Sequence, residues 1–168
     1  TTGVFIPLRD RIGMLDRKLR IINENTETLE EWYEYAVYAY KSVFAYEWQG
    51  DSLFLARENL LYTFVDNYEY KFGTRPTPEQ LKEVADAISW NIFQMDGLKS
   101  VVPNSCHDVV TKNLYGEIEK TPCPACQKKA ASCGHNGILT LLKDWNTGKI
   151  FPFESFYKKS KYYGQFNS

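Results

Sequence analysis

The stretch "CPACQKKAASCGH" places Cys123, Cys126, Cys133 and His135 close together. Two cysteines separated by two residues can share one tight turn and offer both sulfurs to the same ion. A further thiol and an imidazole just behind them complete the four ligands that tetrahedral zinc requires. Cys106 and His107, in "NSCHDVV", compete for the third or fourth position. Disulfides are the weaker reading, because three of the cysteines crowd into one stretch and no export signal precedes them. Free thiols and redox chemistry stay open as alternatives. A nucleophilic Cys-His pair is disfavoured, since nothing nearby supplies an orienting acid and an oxyanion loop.

Two carboxylates form a second candidate group. In "SVFAYEWQGDSLFLARENLL" a short apolar, aromatic run ends at Glu47, and in "NIFQMDGL" a run of Ile92, Phe93 and Met95 ends at Asp96 before Gly97. Each reads as a buried strand with an acid at its carboxyl end, the edge of an α/β sheet where ligands bind. A carboxylate there can accept two hydrogen bonds from a ribose diol. The alternative for Glu47 is a cap on the following helix, or simple exposure to solvent.

The elements that position these groups follow from periodicity. Ile6, Leu8, Ile12, Leu15, Leu19 and Ile22 form an amphipathic stripe that predicts a helix from about Pro7 to Ile22. Thr26 or Thr28, with Glu30 or Glu31 in the first turn, opens a second helix. After the strand that ends at Glu47, Gly50 turns the chain and Asp51 or Ser52 caps a third helix running to about Phe72. Thr77-Pro78 opens a fourth, which leads into the strand ending at Asp96. Helix, strand, acid, helix, helix, strand, acid is the order of an α/β sandwich.

After Pro103 the composition changes, so residues 1–103 read as an α/β domain and 104–168 as a Cys-rich loop, a β-hairpin and a tail. The hairpin is "GILTLLKDWNTGKIFPF", with Gly148 supplying the left-handed turn position. Lys128, Lys129 and Lys143 could face phosphate or be solvated. Lys158, Lys159 and Lys161 with Tyr157, Tyr162 and Tyr163 suggest charge plus stacking on nucleic acid, or a surface tail with some tyrosines turned inward.

A chain of 168 residues with a formal charge of -1 suits a soluble protein with a core and lacks the strongly basic balance of a simple nucleic-acid binder, though a local basic patch is compatible with it. No apolar run reaches the roughly 18 residues of a membrane span, and Arg9, Asp10 and Arg11 stand where a signal peptide needs apolar residues, so no membrane partner and a cytoplasmic location are expected. The first residue is not Met and the chain opens in an apolar segment, so the natural start is expected either upstream or to have been processed or cut.

"YEWQGDSLFLARENLLYTFVD" and "ISWNIFQMDGL" resemble the amino-group-directed adenine DNA methyltransferases of bacterial restriction-modification systems. The resemblance implies a partial Rossmann-like methyltransferase sandwich with a zinc-knuckle and β-hairpin insert. It gives Glu47 the ribose of S-adenosylmethionine, through the family's second-strand motif, and Asp96 the amino group of the cofactor's adenine, through the third-strand motif. "TTGVFIPLRDRIGMLDRKL" looks like the end of the family's first motif, an acid-Pro-x-x-Gly-x-Gly-x-Phe loop, which adds Gly3 and Phe5 to the implied cofactor contacts. The likeness runs to about Leu98 and is looser beyond.

The departures are equally specific. The acidic, Gly-rich start of that loop is missing, so the backbone amides that would cradle methionine cannot all be supplied. The family's Asn- or Asp-Pro-Pro-aromatic tetrapeptide, which holds the flipped adenine, occurs nowhere in the chain. No catalytic residue is assigned. The resemblance implies part of a site-specific methyltransferase that contributes to cofactor and double-stranded DNA binding, is not competent alone, and has the remainder of a restriction-modification enzyme as a partner. The alternative is a zinc-stabilised DNA- or protein-binding module without enzymatic activity.

Overall fold

The computed structural model describes residues 6–129 and 134–156; Gly3, Phe5, Cys133 and the basic tail lie outside the described residues. Packing divides the chain into two compact units, Thr1–Ala45 with Phe54–Ile92 and Tyr46–Leu53 with Phe93–Ser168. The compositional boundary at 103 falls inside the second.

The first unit is helical: α1 (Met14–Asn25), α2 (Leu29–Lys41), the greater part of α3 (Gly50–Phe72) and α4 (Pro78–Asn91). Its core is aromatic. Trp32 is fully buried, with Phe64, Tyr68 and Phe72 at centroid distances of 5.6, 5.6 and 5.5 Å. Edge-to-face rings at this spacing add to the area they bury. The Trp32 indole N–H donates to Asn23 Oδ1 at 2.6 Å, so its polar atom is satisfied inside the core.

The starts of α2 and α4 follow the sequence, whereas α3 begins at Gly50 and takes the expected cap residues Asp51 and Ser52 into its first turn. Thr28 accepts from the Glu31 amide, and Thr77 and Gln80 form a reciprocal capping box ahead of α4. Helix ends follow a different rule. None of these helices finishes on a capping glycine except α3, at Gly73 with φ 67°. The others are closed by side chains from distant helices. Lys71 donates to the carbonyls of Asn23 in the last turn of α1 and of Thr26 just after it, at 2.6 and 2.7 Å. Asn91, with no exposed surface, donates to Tyr40 and Lys41 at the end of α2 at 3.0 and 2.9 Å. Arg57 donates to Ser89 and Ile92 at the end of α4 at 3.0 and 2.8 Å. Carbonyls that a helix leaves orphaned are thus satisfied, and each pair of helices is tied at a fixed register.

The first helix begins later than its apolar stripe predicts. Leu8–Asp10 is a 3-10 turn, Arg11 is extended, and α1 starts at Met14 after Gly13. Extension lets Arg11 pair with Asp66 at 2.7 Å, and Ile12 is left 79 % exposed. Only Leu15 and Leu19 of the stripe are buried in α1.

In the second unit, β1 (Ala45–Glu47) pairs with β2 (Ile92–Gln94), and the Met95 amide donates to the Glu47 carbonyl at 3.0 Å. The sequence predicts a buried first strand; Tyr46 is instead 53 % exposed, because β1 has β2 as its one strand neighbour among the described residues. β2 is buried as expected. Phe93 and Met95 pack with Leu142, Phe151 and Phe153 of the hairpin β5 (Leu141–Lys143) and β6 (Ile150–Pro152). That hairpin turns through Asp144 and Gly148, whose φ of 70° is the left-handed position expected of it. A third pair, β3 (Val109–Lys112) with β4 (Ile118–Thr121), precedes the single turn α5 (Pro124–Gln127). The chain is therefore mixed helix and strand, with three two-stranded sheets among the described residues. Among the described residues no helix is long and apolar enough to cross a membrane.

Replacing Asn91 with Ala removes the buried donor shared by the Tyr40 and Lys41 carbonyls, the first of which keeps the Val43 amide at 3.5 Å, and is expected to lower stability by about 1–3 kcal/mol. Equilibrium urea unfolding measures it; a loss below about 0.5 kcal/mol would show that those carbonyls find other partners.

Candidate metal centre

Two chain segments are laced together beside the Cys-rich loop. The Val102 amide donates to the Ile138 carbonyl at 2.8 Å, and the Ile138 amide to Ser105 Oγ at 2.9 Å. Asn136 completes the lacing, its side chain accepting from the His107 amide at 3.2 Å and donating to the His107 carbonyl at 2.7 Å. The approach is close enough that a Cβ on Gly137 would lie 2.5 Å from Ser105 Oγ and 3.1 Å from the Cys106 amide nitrogen. Glycine at 137 is therefore what lets Cys106 and His135 become neighbours across 29 positions of chain.

The other two ligands come from a turn that the sequence makes legible. Cys123 caps α5, Pro124 opens it, and the Gln127 amide donates to the Cys123 carbonyl at 3.0 Å. The turn closes through Lys129, whose φ of 49° is left-handed. Cys126 thereby returns to the side of Cys123.

Around His135 Nδ1 stand the sulfurs of Cys126 at 3.5 Å, Cys106 at 3.7 Å and Cys123 at 3.8 Å. One ring nitrogen has a single lone pair and cannot accept from three thiols at once. The spacing is the one a tetrahedral zinc site would have: zinc–sulfur and zinc–nitrogen bonds of about 2.3 and 2.05 Å at the tetrahedral angle put sulfur and nitrogen about 3.6 Å apart. All four ligand atoms lie within 4.8 Å of one another, with Cys123 and His135 buried and Cys106 and Cys126 half-buried. This Cys3His group can hold a metal ion such as zinc.

Electrostatics prepare the site unevenly. Burial pushes the Cys123 thiol up, but the backbone N–H groups of Asn136, Cys126 and Ala125, with the Cys126 thiol, bring it down to about 6. It is thus a thiolate at neutral pH, the form that binds metal. Burial, together with hydrogen bonds to and charge on Cys126 and Cys123, pushes Cys106 up to about 11. Its proton must leave when a metal arrives, so affinity falls as pH falls. Glu154, buried, accepts from the Gly134 amide at 3.3 Å and steadies the residue before His135.

Of the four ligands expected from sequence, Cys123, Cys126 and His135 meet here, and Cys133 lies outside the described residues. Cys106, a competitor in the sequence, supplies the fourth atom. The imidazole of His107 is not in the group. Asn136 and Gly137, which seat Cys106, carried no motif; the small residue directly after "HN" was the available signal.

The two acids stand at the ends of neighbouring strands, with Glu47 bonded through its carbonyl to the residue before Asp96. Glu47 Oε1 accepts from the Trp48 and Gln49 amides at 2.8 and 3.1 Å, both ahead of α3, so it closes the bend before the helix and does not cap the helix's first turn. Asp96 is buried, accepts from the Leu98 amide at 3.0 Å and has Lys99 Nζ at 3.7 Å. Comparison of the chain with protein-family models, with curated proteins and with solved structures finds no match.

Native mass spectrometry is expected to show one metal ion per chain, lost in Cys106→Ser and kept in Cys133→Ser, since four ligand atoms are present without Cys133. Gly137→Ala, which alters no ligand, should weaken binding at least tenfold in a chelator competition. Loss of the ion from Cys133→Ser, or no effect of Gly137→Ala, would contradict this geometry.

Proposed function

We propose that the chain is part of a site-specific DNA adenine methyltransferase of a restriction-modification system, contributing to S-adenosylmethionine and DNA binding and carrying a structural zinc ion. The observation that supports this most is the pairing of β1 with β2, which sets Glu47 and Asp96 at neighbouring strand ends. In a doubly wound sheet of order 3-2-1-4-5-6, strands 2 and 3 are neighbours, and acids at their carboxyl ends can face one nucleoside. Glu47 would accept from the ribose hydroxyls and Asp96 from the adenine amine of the cofactor, within a Rossmann-like sandwich whose further strands belong to the rest of the enzyme.

Zinc is the ion this donor set favours, because three soft thiolates and an imidazole suit it and hard cations prefer oxygen. Four protein ligands leave no position for substrate, which makes the role structural. Methyl transfer requires in addition a group that holds the flipped base with reacting atoms about 3–3.5 Å apart. The Asn-Pro-Pro-aromatic segment that does this in the resembled family is absent from the sequence, so the chain alone does not catalyse. A second reading, a zinc-stabilised binding module without activity, is favoured by the engagement of both carboxylates within their own turns.

A chimera decides between them. Joining the missing amino- and carboxyl-terminal segments of a related full-length enzyme should restore transfer of a labelled methyl group to adenine. In that chimera Asp96→Ala should raise the cofactor KM about tenfold with little change in kcat. A folded, zinc-loaded chimera that stays inactive at saturating cofactor would leave the binding-module reading standing.

A further inference from the structure

We infer that the β3–β4 hairpin is a ribbon that enters the major groove of duplex DNA, held at its base by the Cys3His centre. The inference rests on the DNA-binding part of the reading above and names the surface responsible. Two residues separate Cys106 from the start of β3 and one separates Cys123 from the end of β4, so the ligands sit at the two feet of the hairpin.

Pairing sorts its side chains by face. Val110 opposes Lys120 and Lys112 opposes Ile118, which places both lysines and both apolar residues on one face. Glu119 is on the other face with Val109, Thr111 and Thr121, and there Val109 and Thr121 are half-buried. The lysine face is exposed throughout, with Val110 at 58 % and Ile118 at 64 %.

The tip is built, not loose. Asn113 Oδ1 accepts from the Tyr115 and Glu117 amides, both at 3.0 Å, and its amide group donates to Glu117 Oε2 at 2.8 Å. Gly116 takes the left-handed position with φ 82°. This turn holds Leu114 and Tyr115 fully in solvent, and large apolar groups fixed in water by a bonded turn gain from a partner.

Charge and shape select the partner. A face with two cations and no anion attracts phosphate, and its apolar residues can contact thymine methyl groups. A two-stranded ribbon fits the B-form major groove, about 12 Å wide, and not the narrow one of A-form RNA.

The test is fluorescence anisotropy of the zinc-loaded chain with labelled mixed-sequence 24-bp duplex DNA in 50 mM salt. The wild type should bind, and Lys112→Ala/Lys120→Ala should weaken binding at least tenfold and reduce the salt slope by about two, one unit for each phosphate no longer neutralised. Leu114→Ser/Tyr115→Ser should weaken it several-fold with the salt slope unchanged. Lys82→Ala, in α4, serves as the control and should bind as wild type. Zinc content and melting temperature of each variant establish that it is folded. Wild-type affinity in both hairpin variants, no binding by the wild type, or a sedimenting dimer abolished by the tip variant would overturn the inference. The methyltransferase reading is judged separately, by the activity of the chimera, which none of these outcomes decides.

Discussion

Three sulfurs converging on one imidazole nitrogen is the constraint on which the second unit depends. The β3–β4 hairpin buries almost nothing of its own, and an isolated two-stranded hairpin is marginal in water. The apolar cluster in the same unit, Phe93, Met95 and Leu142, contributes about 1.5–3 kcal/mol for each buried side chain. Binding of zinc to a complete ligand set in small peptides is worth about 10–16 kcal/mol. A bound zinc ion would therefore be worth at least as much as this cluster, acting on the loops that carry the hairpin and on the segment that leads to β5.

The helical unit solves a different problem by ordinary means. Its aromatic core supplies the burial, while Lys71, Asn91 and Arg57 turn orphaned carbonyls at three helix ends into inter-helix ties. A lysine or arginine seated on several carbonyls also places positive charge where the helix dipoles are negative. The two units thus carry different devices, a Cys3His group that can hold a metal in one and packing with side-chain capping in the other.

The starts of α2 and α4 were legible because a capping residue, an acid or glutamine three positions on and Pro78 are local signals, as was the end of α3 at Phe72. How the ends of α1, α2 and α4 are closed was not, because their partners lie tens of residues away. The CxxC turn was visible for the same local reason, and the fourth ligand was ambiguous. Choosing Cys106 requires knowing that residues 102–107 lie against 136–138, a fact carried by backbone hydrogen bonds and by the absence of a Cβ at Gly137. The β5–β6 hairpin was announced by its Asn-Thr-Gly turn; β3–β4 was not, since Asn113 and Gly116 bracket Leu114 and Tyr115, residues that do not read as a turn. The strand end at Glu47 was legible, and β2 stops at Gln94, two residues short of Asp96, while exposure of β1 depends on which strands flank it.

Hydrogen exchange measured by mass spectrometry, with zinc bound and after chelation, tests the central claim most directly. Removing the ion should raise exchange across 106–126 and 134–138 by two orders of magnitude or more. Peptides from the buried faces of α1, α2 and α4 should stay protected. Unchanged protection of the β3–β4 amides in metal-free protein would contradict the account, because the hairpin would then stand without the centre at its base.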